Sequence, residues 1–332
     1  MKKVELFILN YNGADFIAPC ISSLLDAIKN SRHSCKLSVI DNQSTDKSVE
    51  VIRKQFPDVG IMAMPENRVL CSFNDAAAKS NAEVIFLLNN DIKVDSYFID
   101  PLVNVYEKKE DVFLVTAKSY LFDNSYEGGR SIPVMKFGLF SMICRFPNYE
   151  HSINKFGYTF AAGFGAFDRK KFLELGGYDD LYLPGRMEDA DLMLRAWKRG
   201  WKCYYEPSST LYHMGAKSFN KRFGERGTME IAHRNTFLFM WKNMDGLRYW
   251  ATHFLFLLPR MVWMLLRGHP EFVTGFLKAL PKLSLALVKR RQEKALHAKR
   301  ASIKKNRARQ PPLGKNFSNQ SRHHQARSQK AR

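Results

Sequence analysis

The sequence has few cysteines, and their spacing excludes two kinds of structural framework. Its 332 residues include five cysteines, which are scattered along the chain and form no CxxC pair. An odd and unpaired set argues against a disulfide scaffold or a zinc site and predicts reduced thiols. We also expect no secretory signal peptide, because the first apolar stretch, residues 4–9, is short and soon becomes polar. The sequence therefore predicts a protein that acts on the cytoplasmic side.

Acidic residues are almost absent from the end of the chain. Residues 289–332 contain 15 Lys and Arg and one acid, so this segment carries +14 of the total net charge of +20. Phe317 is the one aromatic residue of the stretch 291–332. This composition predicts a disordered basic tail over residues 291–332. Because no recognised module accompanies the charge, we expect only nonspecific contact with nucleic acid and no specific nucleic-acid partner.

Apolar runs of strand length alternate with amphipathic stretches over the first 120 residues. The predicted strands are residues 4–9, 37–40, 59–64, 84–88 and 112–117. The predicted helices between them are residues 14–28, 46–56, 71–80 and 97–108. Such alternation is typical of an α/β fold with a Rossmann-like, mixed but mostly parallel sheet flanked by helices. Residues 123–157 are irregular and rich in Gly, Ser, Pro and Asn, which predicts a long excursion or lid.

Two strongly apolar stretches, residues 247–266 and 272–288, follow the predicted α/β domain. In the first, His253, Arg260 and Arg267 recur every seven residues and share one helical face. This pattern favours C-terminal amphipathic helices lying on an anionic membrane surface. Packing on the globular domain or a partner subunit, and a membrane-spanning helix, are the alternatives. The predicted domains are therefore 1–245, the helices 246–290 and the tail 291–332.

Polar side chains stand at three successive strand ends. Asn10 and Asn12 follow the first strand, Asp41 follows the second, and Asn89, Asn90 and Asp91 follow the fourth. Ligands of parallel α/β sheets bind at the carboxyl ends of the strands, so we expect these groups to face one crevice. Asp91 stands where Mg²⁺ or Mn²⁺ could bridge it to a substrate phosphate. The alternative is that Asn-Asn-Asp simply turns the chain.

Several motifs, taken in order, resemble one enzyme family. They are the strand followed by NYNG, the segment DNQSTDKS from residue 41, the strand followed by NND, the pair Gly163 and Gly165, the segment GGYD from residue 176, and the segment EDADLMLR at residues 188–195. Over roughly residues 3–245 the chain resembles inverting GT-A-type glycosyltransferases of family 2, of the bacterial kind that includes rhamnosyltransferase-like enzymes. The resemblance implies the GT-A fold and a nucleotide-sugar donor.

The resemblance also implies roles for individual residues. Asn10, Asn12 and Asp41 would hold the nucleoside, and Asn67, Asn89 and Asn90 would also bind the nucleotide-sugar. Asp91 would bind the divalent cation, Mg²⁺ or Mn²⁺. Gly163 would let the backbone approach the donor sugar. His213 would bind metal or diphosphate, a buried hydrogen-bonded histidine being the alternative, and Arg234 would contact phosphate or pair with an acid.

The acidic segment at 188–191 meets the chemical need of an inverting transfer. The reaction requires a base that takes the proton of the acceptor hydroxyl, and Asp189 matches the base of the family. Glu188, Asp191 and Arg195 share one helical face and are predicted to support it. Acids in the first turn of a helix are also favoured by the helix dipole alone.

The predicted function is transfer of a hexosyl or rhamnosyl group from a UDP- or dTDP-sugar to a lipid-linked or glycan acceptor. Such an enzyme would serve cell-surface polysaccharide, cell-wall or glycolipid synthesis, peripherally attached to the inner face of the cell membrane. A nucleotidyltransferase-like enzyme is one alternative, although the first strand is not followed by a basic Gly-rich loop. A non-catalytic membrane or nucleic-acid adaptor is the other.

Overall fold

The computed structural model describes residues 1–160, 164–214 and 217–309. Within them the strands are β1 Lys3–Asn10, β2 Ser34–Asp41, β3 Gly60–Ala63, β4 Val84–Asn89, β5 Ile92–Val94, β6 Val112–Leu121, β7 Tyr126–Gly128, β8 Ile132–Lys136, β9 Leu139–Ile143, β10 Gly157–Tyr158, β11 Gly165–Asp168 and β12 Lys202–His213. The α-helices are α1 Ile17–Lys29, α2 Ser48–Gln55, α3 Ser72–Lys79, α4 Ile99–Lys108, α5 Arg169–Glu174, α6 Glu188–Lys198, α7 Lys217–Asn243, α8 Leu247–Leu266, α9 Glu271–Ala279 and α10 Leu283–Arg309.

The central strands are apolar along their whole length because helices cover both faces of the sheet. In β4, Phe86 and Leu88 belong to one apolar layer, whereas Ile85 and Leu87 belong to the layer on the opposite face. All four side chains are fully buried. A strand buried on both faces needs such an unbroken apolar run. The α/β class predicted from the sequence is confirmed.

Within the described ranges, ten strands form one mixed sheet with the path β10-β12-β6-β11-β4-β1-β2-β3, and β5 and β7 pair with β12 and β6. The longest pairings, β1 with β2, β1 with β4 and β6 with β12, are parallel. Strand β11 runs antiparallel between β4 and β6. Asn10 lies opposite Asp41, and Leu9 lies opposite Asn89. The polar strand ends therefore meet at one edge of the sheet.

The region after β6 is more ordered than its composition predicts. Residues 123–157 contain β7 and a separate two-stranded hairpin of β8 and β9. Residues 202–213 form one long strand, β12, whose register against β6 shifts between Glu206 and Thr210. Hydrophobic pattern alone does not distinguish a bulge of this kind from a break.

Of the predicted basic stripe His253, Arg260 and Arg267, the first two residues face the protein and Arg267 is exposed. His253 is buried and lies within hydrogen-bond distance of the Gly138 carbonyl, and Arg260 donates to the Lys136 carbonyl. Both acceptors belong to the turn of the β8–β9 hairpin, which the sequence pattern could not identify as a partner. Lys278 pairs with Glu230 on α7, so its charge is also directed toward the domain. These contacts agree with the alternative in which the helices pack on the globular domain, and the membrane-surface interpretation stays a prediction.

The C-terminal helices differ from their predicted limits. The predicted helix 272–288 is divided into α9 and the start of α10, and α10 continues to Arg309, inside the stretch predicted to be disordered. Residues 310–332 lie outside the described part of the chain. By its internal contacts the chain divides into residues 1–290 and 291–332. In the described ranges, no helix has both the length and the apolar character needed to cross a membrane.

Candidate active site

Asn10 is the polar centre of the strand-end layer. Its side-chain nitrogen lies within 3.2 Å of acceptors on Asp41, Ser44 and Ser48, while its oxygen accepts a 2.8 Å hydrogen bond from Asn90. The side chain is 0% exposed, so it offers no free surface to a nucleoside. Asn10 therefore holds the surrounding loops together, and its contact with a nucleoside stays a prediction.

Asn12 and Asp41 shape the turn that follows β2. The side-chain oxygen of Asn12 accepts from the Thr45 amide at 2.7 Å, and Asp41 accepts from the Ser44 amide at 3.2 Å. The hydroxyl of Ser44 in turn accepts from the Asn12 amide. These hydrogen bonds hold together the two loops that follow β1 and β2. The local role of the segment DNQSTDKS is therefore to form this turn.

Asp91 and His213 meet at the end of β4. His213 Nε2 lies 3.2 Å from Asp91 Oδ1, and its Nδ1 lies 2.8 Å from Glu127 Oε1. Burial alone would lower the pKa of His213, but hydrogen bonding to Asp91 and Glu127 outweighs it and raises the pKa to about 9. Asp91 Oδ1 is buried and forms no well-directed hydrogen bond, despite this close ion pair.

The donor set at Asp91 fits a divalent cation that completes its shell with substrate phosphate. Mg²⁺ is commonly held by one or two carboxylates together with phosphate oxygens, and Mn²⁺ accepts the same oxygens as well as imidazole. Asp91 Oδ1, a buried carboxylate oxygen without a proper hydrogen bond, offers one such ligand, and His213 Nε2 would offer a second once cation binding displaced its proton. Among the residues that the structure describes, no group of three or more His, Cys, Asp or Glu could hold a metal ion.

The acidic helix α6 begins directly after a tight loop. Arg186 and Met187 both have positive φ angles, 74° and 73°, and the helix starts at Glu188. Burial raises the pKa of Asp189, while the amide hydrogen bond from Ala190 and the nearby guanidinium of Arg186 oppose the rise. Burial and the adjacent Asp189 also raise the pKa of Glu188. The two carboxyls are thus a coupled pair that ionises less readily than free acids.

Asp191 and Arg195 lie on the buried face of the same helix. Arg195 Nε donates to Asp191 Oδ2 at 2.7 Å, and its guanidinium also donates to the carbonyls of Leu175 and Gly177. Asp191 is fully buried and also receives hydrogen bonds from Tyr182 and from Lys242. The pair therefore anchors α6 to the domain and does not face the cleft.

Arg234 donates hydrogen bonds to a loop carbonyl and to a neighbouring side chain. Within the described residues, these hydrogen bonds reach no acid. The guanidinium donates to the Leu183 carbonyl and to the side chain of Asn235. Asn235 is fully buried, and its amide nitrogen lies within hydrogen-bond distance of the carbonyls of Tyr182, Gly185 and Arg186. Together the two residues of α7 shape the loop in front of α6.

A cleft of about 530 Å³ opens between the strand ends and the loop before α6. The predicted site residues that line it are Asn67, Asn89, Asn90, Asp91, Glu188, Asp189 and His213. Those that do not line it are Asn10, Asn12, Asp41, Asp191, Arg195 and Arg234. Gly163 lies outside the described residues. The cleft is large enough for a substrate-sized ligand and combines an acid pair with a possible cation site.

Other lining residues were missed by sequence reasoning. Glu127 lies in β7, after β6, and belongs to no recognised motif. Arg186 and Arg222 bring positive charge to the cleft, with Arg186 5.0 Å from the Phe219 ring and Arg222 5.3 Å from the Tyr11 ring. The basic residue just before the acidic segment was a usable signal for Arg186. Nothing in the sequence pointed to Arg222, whose position depends on the kink at Gly224 in α7.

Comparison with known proteins gives a family and a fold. A family model described as glycosyl transferase family 2 matches residues 6–176, just over half of the chain. That match ends before α6. A search of the curated proteins found no match.

Solved structures of three glycosyltransferases resemble the chain. GalNAc-T7, solved with UDP, GalNAc and Mn²⁺, is 17% identical over 70% of this chain with a TM-score of 0.53, and this chain covers 47% of it, about half its length. The mannosyltransferase PcManGT from Pyrobaculum calidifontis, solved with GDP-Man and Mn²⁺, is 15% identical, with 91% and 80% coverage and a TM-score of 0.51. Residues 1–349 of S. aureus TarS are 12% identical, with 86% and 81% coverage and a TM-score of 0.53. These similarities support the GT-A fold.

Proposed function

The chain belongs to glycosyl transferase family 2, and on that premise we propose that it is an inverting enzyme that transfers a sugar from a nucleotide-sugar to a lipid-linked or glycan acceptor. One observation carries the proposal. Asp189 at the start of α6 and Asp91 at the end of β4 line the same cleft, although 97 intervening residues separate them in the chain. The transfer requires a base, and it requires a carboxylate that would hold the cation of the diphosphate, in one cleft.

The donor occupies the strand-end half of the cleft in this proposal. Asn67, Asn89 and Asn90 present amide groups there, and the turn held by Asn12 and Asp41 forms its floor toward the nucleoside. Arg186 and Arg222 supply positive charge near the diphosphate. The donor class is supported by the neighbours, whose structures contain UDP or GDP-Man. We infer a UDP- or dTDP-linked hexose or rhamnose as donor.

Asp91 and His213 would hold the divalent cation, Mg²⁺ or Mn²⁺. Such an ion neutralises charge on the diphosphate as it leaves. The titratable groups facing His213 are Asp91 and Glu127, so the imidazole is flanked by carboxylates on both sides. Mn²⁺ is present in two of the similar glycosyltransferase structures, which supports this part of the proposal.

Asp189 acts as the base. Its carboxylate takes the proton of the acceptor hydroxyl while that oxygen forms a bond to the anomeric carbon of the donor. The bond from the anomeric carbon to the phosphate oxygen breaks, and its electron pair leaves with the nucleoside diphosphate. Attack opposite to the leaving group inverts the anomeric centre. Partial burial of Asp189 keeps its pKa above that of a free aspartate and makes it a stronger base than an exposed one.

The exposed side of α8 favours a membrane-associated acceptor. Its outward side chains include Phe254, Leu255, Leu258, Val262 and Trp263, each at least half exposed. An exposed apolar stripe of this extent is unusual on a soluble surface and suits a lipid interface. The exposed Arg248 and Arg267 near the ends of the helix would complement anionic headgroups. We therefore place the enzyme at the inner face of the cell membrane, in cell-surface polysaccharide, cell-wall or glycolipid synthesis.

The test is nucleotide release by the purified protein with Mn²⁺ or Mg²⁺, across a panel of UDP-, dTDP- and GDP-sugars. We expect slow hydrolysis of one donor, which is lost with EDTA and accelerated by a lipid-linked acceptor. Asp189→Asn is expected to lower turnover by about 10²- to 10⁴-fold while donor binding persists. Asp58→Asn, at an exposed position in the loop before β3, is the matched control. Absence of binding and turnover with every donor would refute the proposal.

A further inference from the structure

A chain of ion pairs runs from α10 to the helix that carries Asp189. Lys289 Nζ on α10 lies 2.7 Å from Asp179 Oδ1, and the other oxygen of Asp179 lies 2.7 Å from Lys242 Nζ on α7. Lys242 Nζ also lies 2.8 Å from the carboxylate of Asp191 on α6. Asp191 then pairs with Arg195 one turn later. Four segments of the chain are thus joined through alternating charges.

The middle of this chain is sealed from solvent. Lys242 is 1% exposed and Asp191 is 0% exposed as side chains. Burial would raise the pKa of Asp179 and of Asp191, but Lys242 outweighs it and the pKa of each carboxyl is lowered. A buried charge left without its partner is costly, so each link constrains the position of the next. Movement of one helix therefore changes the energy of the others.

The chain of ion pairs reaches two elements that line the cleft, namely α6 and the loop before it. Asp191 is two residues beyond Asp189 on the same helix. Asp191 also accepts a hydrogen bond from the Tyr182 hydroxyl at 2.9 Å. Tyr182 begins the loop whose residues Pro184, Gly185 and Arg186 line the cleft. A shift at Asp191 would therefore move the proposed base and the loop in front of it together.

We propose that Lys289, acting through Asp179 and Lys242, is a positioning residue that sets the location of Asp189 for the transfer step. The inference rests on the proposed function of Asp189. Neither lysine lines the cleft, so both act on the reaction through α6 and the loop before it. The first turns of α10, up to Lys289, accordingly help to position the base.

The test compares Lys289→Gln with Lys289→Arg and Arg290→Gln in the full-length protein. Lys289 is 23% exposed as a side chain and also pairs with Asp180, and Gln keeps a hydrogen-bond donor of nearly the same length at this position. Arg290 is the matched control, because it pairs with Asp245 and has no contact with Asp179. We expect Lys289→Gln to lower kcat by about 2- to 30-fold without changing the donor KM. Lys289→Arg should restore most of the rate, and Arg290→Gln should behave as the wild type.

Amide hydrogen exchange gives a readout that does not depend on activity. Residues 191–198 of α6 should exchange faster in Lys289→Gln than in Arg290→Gln, because the clamp on the helix is lost. Unchanged exchange together with unchanged kcat in Lys289→Gln would overturn the inference. A drop in kcat that is equal in both variants would overturn it as well. If exchange in α6 changes but the wild type turns over no donor, the proposed function fails and the positioning role with it.

Discussion

The side-chain amide of Asn90 donates a 2.8 Å hydrogen bond to the side-chain oxygen of Asn10, which ties the end of β4 to the end of β1. Asn90 lines the cleft, whereas Asn10 is buried behind it. The position of the cleft-lining amide therefore depends on a buried residue that does not line the cleft.

Gly13→Ala should disturb this contact directly. A Cβ at residue 13 would lie 2.0 Å from Asn90 Nδ2 and 2.6 Å from Asn10 Oδ1, so Asn90 must move. Loss of one such hydrogen bond costs about 1 kcal/mol, which corresponds to roughly a fivefold rise in the donor dissociation constant. Isothermal titration with the nucleotide would measure it. Gly60→Ala is the control, since its Cβ meets only Ser38 Oγ at 3.5 Å. Equal affinities for the two variants would contradict the prediction.

Arg186→Gln should change the pH dependence of turnover. The guanidinium lowers the pKa of both Glu188 and Asp189. The base works when ionised, so activity is present above its pKa and lost as the pH falls through it. Without Arg186 that pKa rises, and the acidic limb of the kcat profile moves to higher pH by up to about one unit. Arg53→Gln, an exposed substitution on α2, should leave the limb in place. A limb that stays fixed or moves to lower pH in Arg186→Gln would disprove the assignment.

Lys242→Met should destabilise the protein strongly. The substitution removes the buried cation that Asp191 and Asp179 share, and leaves Asp191 paired only with Arg195 and Asp179 only with Lys289. Loss of one member of a buried pair costs up to about 3–5 kcal/mol. Lys36→Met is the comparison, because Lys36 is 71% exposed and lies 3.6 Å from Glu5. Its loss should cost less than about 1 kcal/mol. Urea unfolding of both variants would measure the free energies, and similar midpoints would show that the buried network contributes little.

The outward face of α8 can be tested separately from the chemistry. Replacement of Phe254 and Leu258 by Ser removes two exposed apolar side chains, each worth about 2 kcal/mol when buried in lipid. Binding to vesicles containing phosphatidylglycerol should weaken by roughly tenfold or more, with donor hydrolysis in solution unchanged. The double variant Tyr97→Ser and Leu173→Ser alters exposed residues outside the C-terminal helices and is the control. If the wild type forms dimers that the α8 variant cannot form, and binds no vesicles, the face is an interface between copies.

The α/β fold was predictable because a strand buried on both faces must be apolar throughout. The runs at β1 and β4 show this, and their parallel register brings Asn10, Asp41 and Asn89 to one edge. The seven-residue spacing of basic residues was less informative in α8. It correctly grouped His253 with Arg260 on one face. It could not show which side faced the protein, because the acceptors belong to a hairpin more than 100 residues earlier.

The site was predictable to the extent that its residues follow strands or open helices. Asp91 was predicted from its position at a strand end, and Asp189 from its position at a helix start. Both line the same cleft. Glu127 could not be predicted as a site residue, because its contact with His213 depends on how residues 123–157 fold back after β6. Asn10 shows that a position at a strand end does not reveal burial, since this polar residue, predicted to hold the nucleoside, is a buried hydrogen-bonding centre.

Asn235 has a consequence for how substrate preference could diverge among relatives of this chain. A single amide on α7 meets three carbonyls of the loop before α6, and in that loop Arg186 and Met187 both keep positive φ. The shape of the cleft beside the start of α6 is therefore determined by a residue about 50 positions away from the loop itself. A substitution at 235 would change that shape while every residue that lines the cleft stayed the same. Two relatives with identical lining residues would then differ in the ligands that they accept.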